Sequence, residues 1–231
     1  MVSKLKIERV NKVMYSLVFD TTAMGLVLAL YKDMECRQKV EKFMEFGQAE
    51  ELACNLKDVL DKENILFSDV DLLGVCVGPG SFTGVRAGVS FAKALALGHN
   101  KVNLTGVSAF DVYIEMLKPQ DRAFYNAVVI ETKREDFYFQ LFDENLNKLT
   151  PPLALSREEI KEKLNGHQVS FIGDGVERLL SLSLGLQIKC VELTEFMASD
   201  ALFNATMKKF LEKNLDFPKP LYIRNADACV K

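Results

Sequence analysis

The chain opens with two apolar runs that have the character of β-strands. Residues 15–19 and 26–31 are rich in aliphatic and aromatic side chains, and residues 20–25 between them are rich in turn formers. This pattern predicts a β-hairpin. A more polar third strand is predicted at residues 35–43.

The spacing of the apolar residues then changes to that of a helix. Between residues 49 and 60 they recur at intervals of three and four, and charged residues occupy the other faces. Residues 72–77 form a continuous apolar run, which is typical of a strand buried on both faces. An apolar helix is predicted at residues 85–97, ending at Gly98 in a left-handed conformation, and a strand follows at residues 102–107.

The second half of the chain repeats this order. Residues 127–130 and 137–142 predict another hairpin, with a charged turn between the two strands. Ser156 and Glu159 have the spacing of a capping box, which marks the start of a helix. The remaining predicted elements are a strand at residues 169–172 and a helix at residues 198–211.

A hairpin that opens each half, followed by alternating strands and helices, indicates a duplicated α/β unit. The actin-like (ASKHA, ribonuclease H-like) fold has this organisation, with two subdomains whose mixed sheets are flanked by helices. The predicted parts are a disordered leader at 1–13, an N-terminal subdomain at 14–106, a C-terminal subdomain at 107–200, and a helix and tail at 201–231. We expect that last part to pack back on the N-terminal subdomain.

Composition limits the class of protein further. With 48% hydrophobic and 26% charged residues, the 231-residue chain is typical of globular proteins. The longest apolar run, residues 23–31, is well short of the roughly 20 residues that cross a bilayer. The charged leader without a small-residue cleavage site is unlike a secretory signal. We therefore expect a cytoplasmic protein that does not contact membranes.

Metal and nucleic-acid sites find little support in the sequence. The five cysteines form no CxxC pair, and His99 and His167 are far apart, which excludes the common zinc and metallohydrolase signatures. The net charge of −3 gives no overall attraction to nucleic acid. Residues 1–13 carry an excess of basic groups, so a basic arm for RNA is the alternative to a solvated disordered leader.

A glycine-rich loop between a predicted strand and a predicted helix is the most informative segment. Backbone N–H groups and the positive end of a helix dipole meet there and can hold a phosphate. The loop has neither the lysine of a Walker A motif nor the third glycine of GxGxxG, so a tight turn without a ligand is the alternative. The candidate nucleotide or interface residues are Gly78, Gly80, Ser81, Thr83, Gly84 and Arg86.

The first hairpin turn is a second candidate for phosphate chemistry. Asp20, Thr21 and Thr22 could hold a magnesium ion and phosphate oxygens, although Ala23 stands where nucleotide-hydrolysing proteins of this class carry a glycine or a polar group. The turn is therefore a degenerate phosphate loop, and a capped β-turn is the alternative. No catalytic residue is predicted, because Ser81 has neither a base nearby in sequence nor the GxSxG context.

Residues 78–88, which read Gly-Pro-Gly-Ser-Phe-Thr-Gly-Val-Arg-Ala-Gly, resemble the signature of the TsaB (YeaZ-like) family. The resemblance continues through residues 93–96, and further matching segments follow the family order: 17–22, 106–108, 173–175 and 220–224. The likeness runs from about Met14 to Asn225. The chain departs from the family at Gln48, where a histidine is usual, and in the hairpin at 131–138.

The resemblance implies a degenerate active site and a non-catalytic role. Family members bind a TsaD (Gcp-like) transferase, which holds the metal and moves the threonylcarbamoyl group onto a tRNA adenosine, and a TsaE-type ATPase joins the assembly. We therefore expect an accessory subunit without a cofactor of its own, with ATP or ADP at the interface with the transferase and tRNA contacted only through the complex. The competing interpretations are an independent actin-fold small-molecule kinase or ATPase and, with less support, a glycoprotease.

The helix at residues 49–60 is interpreted as a docking surface. Two largely apolar helices cannot bury every apolar face against one sheet, so some surface should remain for a partner. The resemblance implies that this surface pairs with a second copy, as a homodimer, or with the transferase. The alternative is that both helices are wholly internal. The candidate docking residues are Ala49, Leu52, Ala53 and Leu56.

Overall fold

The structure is a computed structural model. It describes residues 13–23, 25–44, 47–99, 101–164, 167–181, 188–190 and 198–224, and for 188–190 the backbone alone. The predicted leader lies outside these ranges except for Val13, which is exposed.

The first half is built on a five-stranded mixed sheet in the order β3-β2-β1-β4-β5. β1, β2 and β3 form an antiparallel meander, whereas β4 and β5 run parallel to β1. The predicted hairpin and the buried parallel strand are therefore confirmed. The strands are β1 (Tyr15–Asp20), β2 (Gly25–Lys32), β3 (Glu35–Phe43), β4 (Val70–Cys76) and β5 (Asn103–Val107).

The second half repeats this topology. Its sheet has the order β10-β9-β6-β7-β8, in which β6 takes the central place of β1, with antiparallel strands on one side and parallel strands on the other. This match confirms the predicted duplicated actin-like fold. The strands are β6 (Tyr125–Glu131), β7 (Phe137–Asp143), β8 (Leu153–Leu155), β9 (Val169–Ile172) and β10 (Ile188–Cys190).

The helices cover the sheets on both faces. The bounds are α1 (Gln48–Lys62), α2 (Phe82–Leu97), α3 (Ala109–Glu115), α4 (Arg157–Leu164), α5 (Val176–Ser181) and α6 (Ala198–Leu211). Leu17 and Phe19 of β1 point into a core with α1 and α2, whereas Val18 points into a core shared by α3, α6 and the second sheet. A third core joins the second sheet to α4 and α5. None of the helices among the described residues is long and apolar enough to cross a membrane.

Several boundaries differ from the predicted ones for local reasons. α2 begins at Phe82 instead of residue 85, because the Ser81 hydroxyl accepts a hydrogen bond from the Gly84 N–H and caps the helix. Gly98 ends the helix in a right-handed conformation, with φ −76°, so the predicted left-handed end was wrong. The capping box is confirmed, since the Ser156 N–H donates to Glu159 and the Glu159 N–H donates to the Ser156 hydroxyl.

The short helix α3 and the final helix α6 lie between the two halves. α6 contacts all five strands of the first sheet and also packs on α3. Gly74 of β4 allows this close approach, because a Cβ at that position would lie 2.6 Å from Cγ2 of Thr206. The predicted subdomain boundaries at residues 106 and 200 stay predictions.

Candidate functional site

The first hairpin turn and the glycine loop, which the sequence analysis treats separately, are in direct contact. The Ser81 N–H donates to the carbonyl oxygen of Thr22 at 2.8 Å. The Thr21 hydroxyl donates to the carbonyl oxygen of Gly84 at 2.7 Å. The structure thus brings the two candidate phosphate segments into one site at the carboxyl ends of β1 and β4.

The glycines of the loop are needed for this contact. A Cβ at Gly84 would overlap the carbonyl oxygen of Thr21 and lie 2.9 Å from its carbonyl carbon. A Cβ at Gly80 would overlap the carbonyl oxygen of Thr22 in the same way. Gly78 has φ +89°, which favours glycine. The inner side of the loop is therefore filled by the backbone of the turn, and the residues present do not fit a phosphate group there.

The polar groups of the turn are buried and bonded within the chain. Asp20 is 7% exposed, and its Oδ1 accepts a hydrogen bond from the Thr22 N–H at 2.6 Å. The Thr22 hydroxyl lies 3.4 Å from Sγ of Cys76. Burial raises the pKa of Asp20 above its usual value, against the lowering effect of its hydrogen bonds to Thr22, and it also raises the pKa of the Cys76 thiol. This geometry favours a capped turn over an open phosphate loop.

The outer side of the glycine loop is exposed and carries the remaining candidate residues. Ser81, Thr83 and Arg86 are all exposed. Nε of Arg86 donates to the Tyr222 hydroxyl at 2.9 Å, and the guanidinium lies 3.7 Å from the centre of the Phe82 ring. Arg86 therefore ties the start of α2 to the C-terminal tail.

The tail crosses the carboxyl ends of β4 and β5 and reaches the second half. The Leu221 N–H donates to the Val77 carbonyl oxygen at 2.8 Å, and the Gly106 N–H donates to the Asp216 carbonyl oxygen at 3.0 Å. Further along, Arg224 forms an ion pair with Asp136 in the turn of the second hairpin. The tail thus links the glycine loop of one half to the hairpin turn of the other.

The second hairpin turn is held by a charge pair that the sequence analysis missed. Arg178 donates to both carboxylate oxygens of Glu131, at 2.6 and 2.9 Å, and lies over the Phe137 ring. Partial burial raises the pKa of Glu131, but the hydrogen bond and charge of Arg178 together with backbone hydrogen bonds in the turn outweigh burial, so this pKa lies below its usual value. Arg178 belongs to the short helix α5, for which the sequence offered no periodic signal.

Asp174 faces the same turn from the end of β9. Its Oδ1 accepts a hydrogen bond from the Glu131 N–H at 2.9 Å. The residue keeps exposed surface, yet crowding around the carboxylate desolvates it and raises the pKa to about 6. The sequence analysis did not predict this contact, because Asp174 and Glu131 are 43 residues apart. Among the described residues no group of His, Cys, Asp and Glu side chains could hold a metal ion.

The four candidate docking residues of α1 fall into a buried pair and an exposed pair. Leu52 and Leu56 are 1% and 6% exposed and belong to the core beneath α1, because their positions face the first sheet. These two side chains therefore offer no surface to a partner. Ala49 and Ala53 are exposed, and on the neighbouring helix α2 Leu97 is 83% exposed. The docking prediction now rests on the exposed residues alone.

Comparison with known proteins gives consistent matches. The family model described as TsaD, tRNA N6-adenosine threonylcarbamoyltransferase, matches residues 47–189. The tRNA threonylcarbamoyladenosine biosynthesis protein TsaB of Escherichia coli (strain K12) is 25% identical over 221 residues, which are 90% of this chain and 94% of that protein. The TsaB of Buchnera aphidicola subsp. Baizongia pistaciae is 20% identical over 169 residues, which are 70% of this chain and 76% of that protein. The structure of YeaZ from Pseudomonas aeruginosa superposes with a TM-score of 0.73 at 17% identity. The match covers 90% of this chain and 99% of the YeaZ chain.

Two sheets with the same strand order, and a glycine loop in contact with the first hairpin turn, define a duplicated actin-like α/β protein. The family model covers more than half of the chain, and the curated relatives align along most of it. The chain belongs to the TsaD family as a TsaB/YeaZ-type protein. The family resemblance of the sequence is thereby confirmed.

Proposed function

We propose that this chain is a non-catalytic partner of a TsaD-type transferase in the formation of threonylcarbamoyladenosine, in tRNAs that read codons beginning with A. The names of its TsaB relatives, tRNA threonylcarbamoyladenosine biosynthesis proteins, support a role in this modification. A match of 39% identity over 59 residues to the transferase of Clostridioides difficile supports a link to the TsaD-type complex. The chain would act in the cytoplasm.

The observation that carries the proposal is the closed glycine loop. A kinase or ATPase of the actin-like class needs its first hairpin turn open to the nucleotide phosphates. Here the carbonyl groups of Thr21 and Thr22 take up the inner side of the loop, and the carboxylate of Asp20 binds its own turn. The rival activity, an independent small-molecule kinase or ATPase, gains no support from this geometry.

The docking surface of the proposal is the exposed side of α1 next to α2. Ala49 and Ala53 are small and exposed, so another helix can approach α1 closely there. A second copy of the chain and the transferase would compete for this one surface, and the homodimer would be the resting form. A TsaE-type ATPase would join through the complex, and tRNA would be contacted only indirectly.

A nucleotide in this proposal belongs to the interface and not to the isolated chain. Because the inner side of the loop is filled, ATP or ADP could meet this chain only on the exposed side, through Ser81, Thr83 and Arg86. The partner would have to supply the rest of the nucleotide site. We therefore expect the isolated chain to turn over no ATP.

The proposal is tested by placing a carboxylate on the docking surface. Ala53→Glu puts a bulky charged side chain on an exposed position of α1, so the fold should be kept while a packed contact at that position is lost. Asn204→Glu, at an exposed position of α6, is the matched control. Circular dichroism, light scattering after size exclusion and a pull-down with the TsaD-type transferase are the measurements.

The two variants are expected to differ in oligomeric state and in binding to the transferase. We expect Ala53→Glu to be a folded monomer that no longer binds the transferase, whereas Asn204→Glu behaves as the natural chain does. An Ala53→Glu protein that still dimerises and still binds the transferase would remove α1 from the proposal. Unfolding of Ala53→Glu would support the interpretation that α1 is wholly internal.

A further inference from the structure

A surface of aromatic rings and positive charges runs along α2 and the C-terminal tail. Phe82, Arg86 and Lys93 lie on one face of α2, because their spacing of four and then seven residues follows the helical repeat, and they span about 16 Å along the helix. The tail passes this face in the opposite direction, since Phe217 lies beside Lys93 whereas Tyr222 lies beside Arg86. These five residues form the α2–tail surface.

The three rings of the α2–tail surface are exposed to a degree that is unusual for aromatic side chains. Phe82 is 52% exposed, Phe217 is 61% exposed and Tyr222 is 49% exposed. The ring centres of Phe82 and Tyr222 are 5.8 Å apart, so these rings form one apolar area. Single exposed apolar residues are common, whereas contiguous ones mark interaction sites. Covering these rings with apolar side chains of a partner would be favourable.

The two cations of the α2–tail surface are not neutralised. Arg86 and Lys93 form no ion pair within the part of the chain that the structure describes, and α2 contains no aspartate or glutamate. Asp216, the acidic residue that precedes the tail segment, is paired with Lys209 at 3.1 Å. The surface is therefore locally positive in a chain whose net charge is −3. Charge complementarity favours an acidic partner.

The packing of rings and cations favours a peptide over a single-stranded nucleic acid. The Arg86 guanidinium lies 3.7 Å from the centre of the Phe82 ring, and Nζ of Lys93 lies 5.0 Å from the centre of the Phe217 ring. The ring face under each cation is therefore not free to stack on a base, which is the usual contact with single strands. The net negative charge of the chain also opposes a polyanion. Carboxylates and aliphatic side chains of a peptide can use the cations and the open ring surface together.

We propose that the α2–tail surface binds an acidic peptide segment of a partner protein that also carries aliphatic side chains. The carboxylates of the peptide lie beside Arg86 and Lys93, and its aliphatic side chains cover Phe82, Phe217 and Tyr222. This inference goes beyond the proposed function and does not depend on it, because it involves neither the exposed alanines of α1 nor a nucleotide. Since Arg86 is also a candidate nucleotide contact, the test uses the other end of the surface.

The test is fluorescence anisotropy with the isolated full chain, without transferase or nucleotide. The probe is a labelled eight-residue peptide in which glutamate and leucine alternate, and it is compared with a peptide of alternating glutamate and serine and with a labelled oligouridine. Phe217→Ala removes a ring of the surface, and Lys93→Glu reverses one of its charges. Phe124→Ala and Lys118→Glu are the matched controls, because Phe124 is 62% exposed, Lys118 is exposed, and neither belongs to the surface.

We expect the glutamate–leucine peptide to bind the natural chain and both controls equally, and Phe217→Ala and Lys93→Glu each to weaken binding about tenfold. If circular dichroism shows that Phe217→Ala does not fold, Lys93→Glu alone decides. The inference is overturned if the peptide does not bind at millimolar concentration, or if a folded surface variant leaves its binding unchanged. Equal binding of the glutamate–serine peptide, or tighter binding of the oligouridine, also overturns it.

Discussion

Replacing Gly84 by alanine tests whether the glycine loop serves the fold of the isolated chain. The new Cβ would lie 2.9 Å from the carbonyl carbon of Thr21 and overlap the oxygen. The contacted atoms belong to the backbone of Thr21, which cannot rotate away as a flexible side chain could. Overpacking of this kind costs about 1–3 kcal/mol, and the upper end applies here because either α2 or the hairpin turn must move.

Helix propensity acts in the opposite direction. Gly84 lies in the first turn of α2, where alanine is favoured over glycine by up to about 1 kcal/mol. The expected net loss is therefore about 2 kcal/mol in the free energy of unfolding. For a chain of this size that corresponds to a fall of roughly 4–8 °C in Tm.

Gly98→Ala is the matched control. Gly98 ends the same helix with φ −76°, and a Cβ there would come no closer than 3.5 Å, to the carbonyl oxygen of Leu95. The same substitution should be neutral or stabilise the chain by about 0.4–1 kcal/mol. Urea unfolding followed by circular dichroism measures both variants. A Gly84→Ala chain as stable as the Gly98→Ala chain would refute the close contact between the loop and the turn.

Three further predictions concern the charged groups of the site. Arg86→Ala should lower the free energy of unfolding by no more than about 1 kcal/mol, because the residue is exposed. The same variant should weaken nucleotide binding by the complex with the transferase. Unchanged nucleotide binding would mean that the glycine loop has only a structural role. Burial raises the pKa of Asp20, so the ionised carboxylate costs stability as the pH rises through that pKa. Asp20→Asn should therefore gain stability relative to the natural chain as the pH rises above 3.8, the usual pKa of this carboxyl group, and a difference independent of pH would count against it. Arg178→Ala should cost about 1–2 kcal/mol through loss of its bidentate pair with Glu131. Lys57→Ala breaks the exposed ion pair of Lys57 with Asp61 and should have a smaller effect on thermal unfolding. Equal effects of the two variants would contradict the role given to Arg178.

The sequence predicted the long periodic elements well, because their patterns are set by local burial. The first hairpin, the helix at residues 49–60, the buried strand before Gly78 and the helix Ala198–Leu211 all lie within a few residues of the predicted bounds. The short helices α3 and α5 were missed, since neither is long enough to display a repeat of apolar positions.

The candidate site was harder to predict because its contacts join distant parts of the chain. Thr21 and Gly84 are 63 residues apart, and nothing local indicates that the turn fills the loop. Arg86 had the chemistry of an anion ligand, but its partner Tyr222 comes from the tail 136 residues later. The glycines indicated a tight turn between strand and helix, and the structure shows that the backbone of the first hairpin turn packs against two of them.

The proposed role requires that a TsaD-type transferase needs this chain to modify tRNA. The measurement is the threonylcarbamoyladenosine content of tRNA incubated with the purified TsaD-type transferase, the other components of the reaction, and either the natural chain, Ala53→Glu, Asn204→Glu or no addition. We predict full modification with the natural chain and with Asn204→Glu, little with Ala53→Glu or without the chain, and no ATP turnover by the chain alone. Equal modification with and without the chain, or ATP turnover by the isolated chain, would contradict the role of a non-catalytic partner.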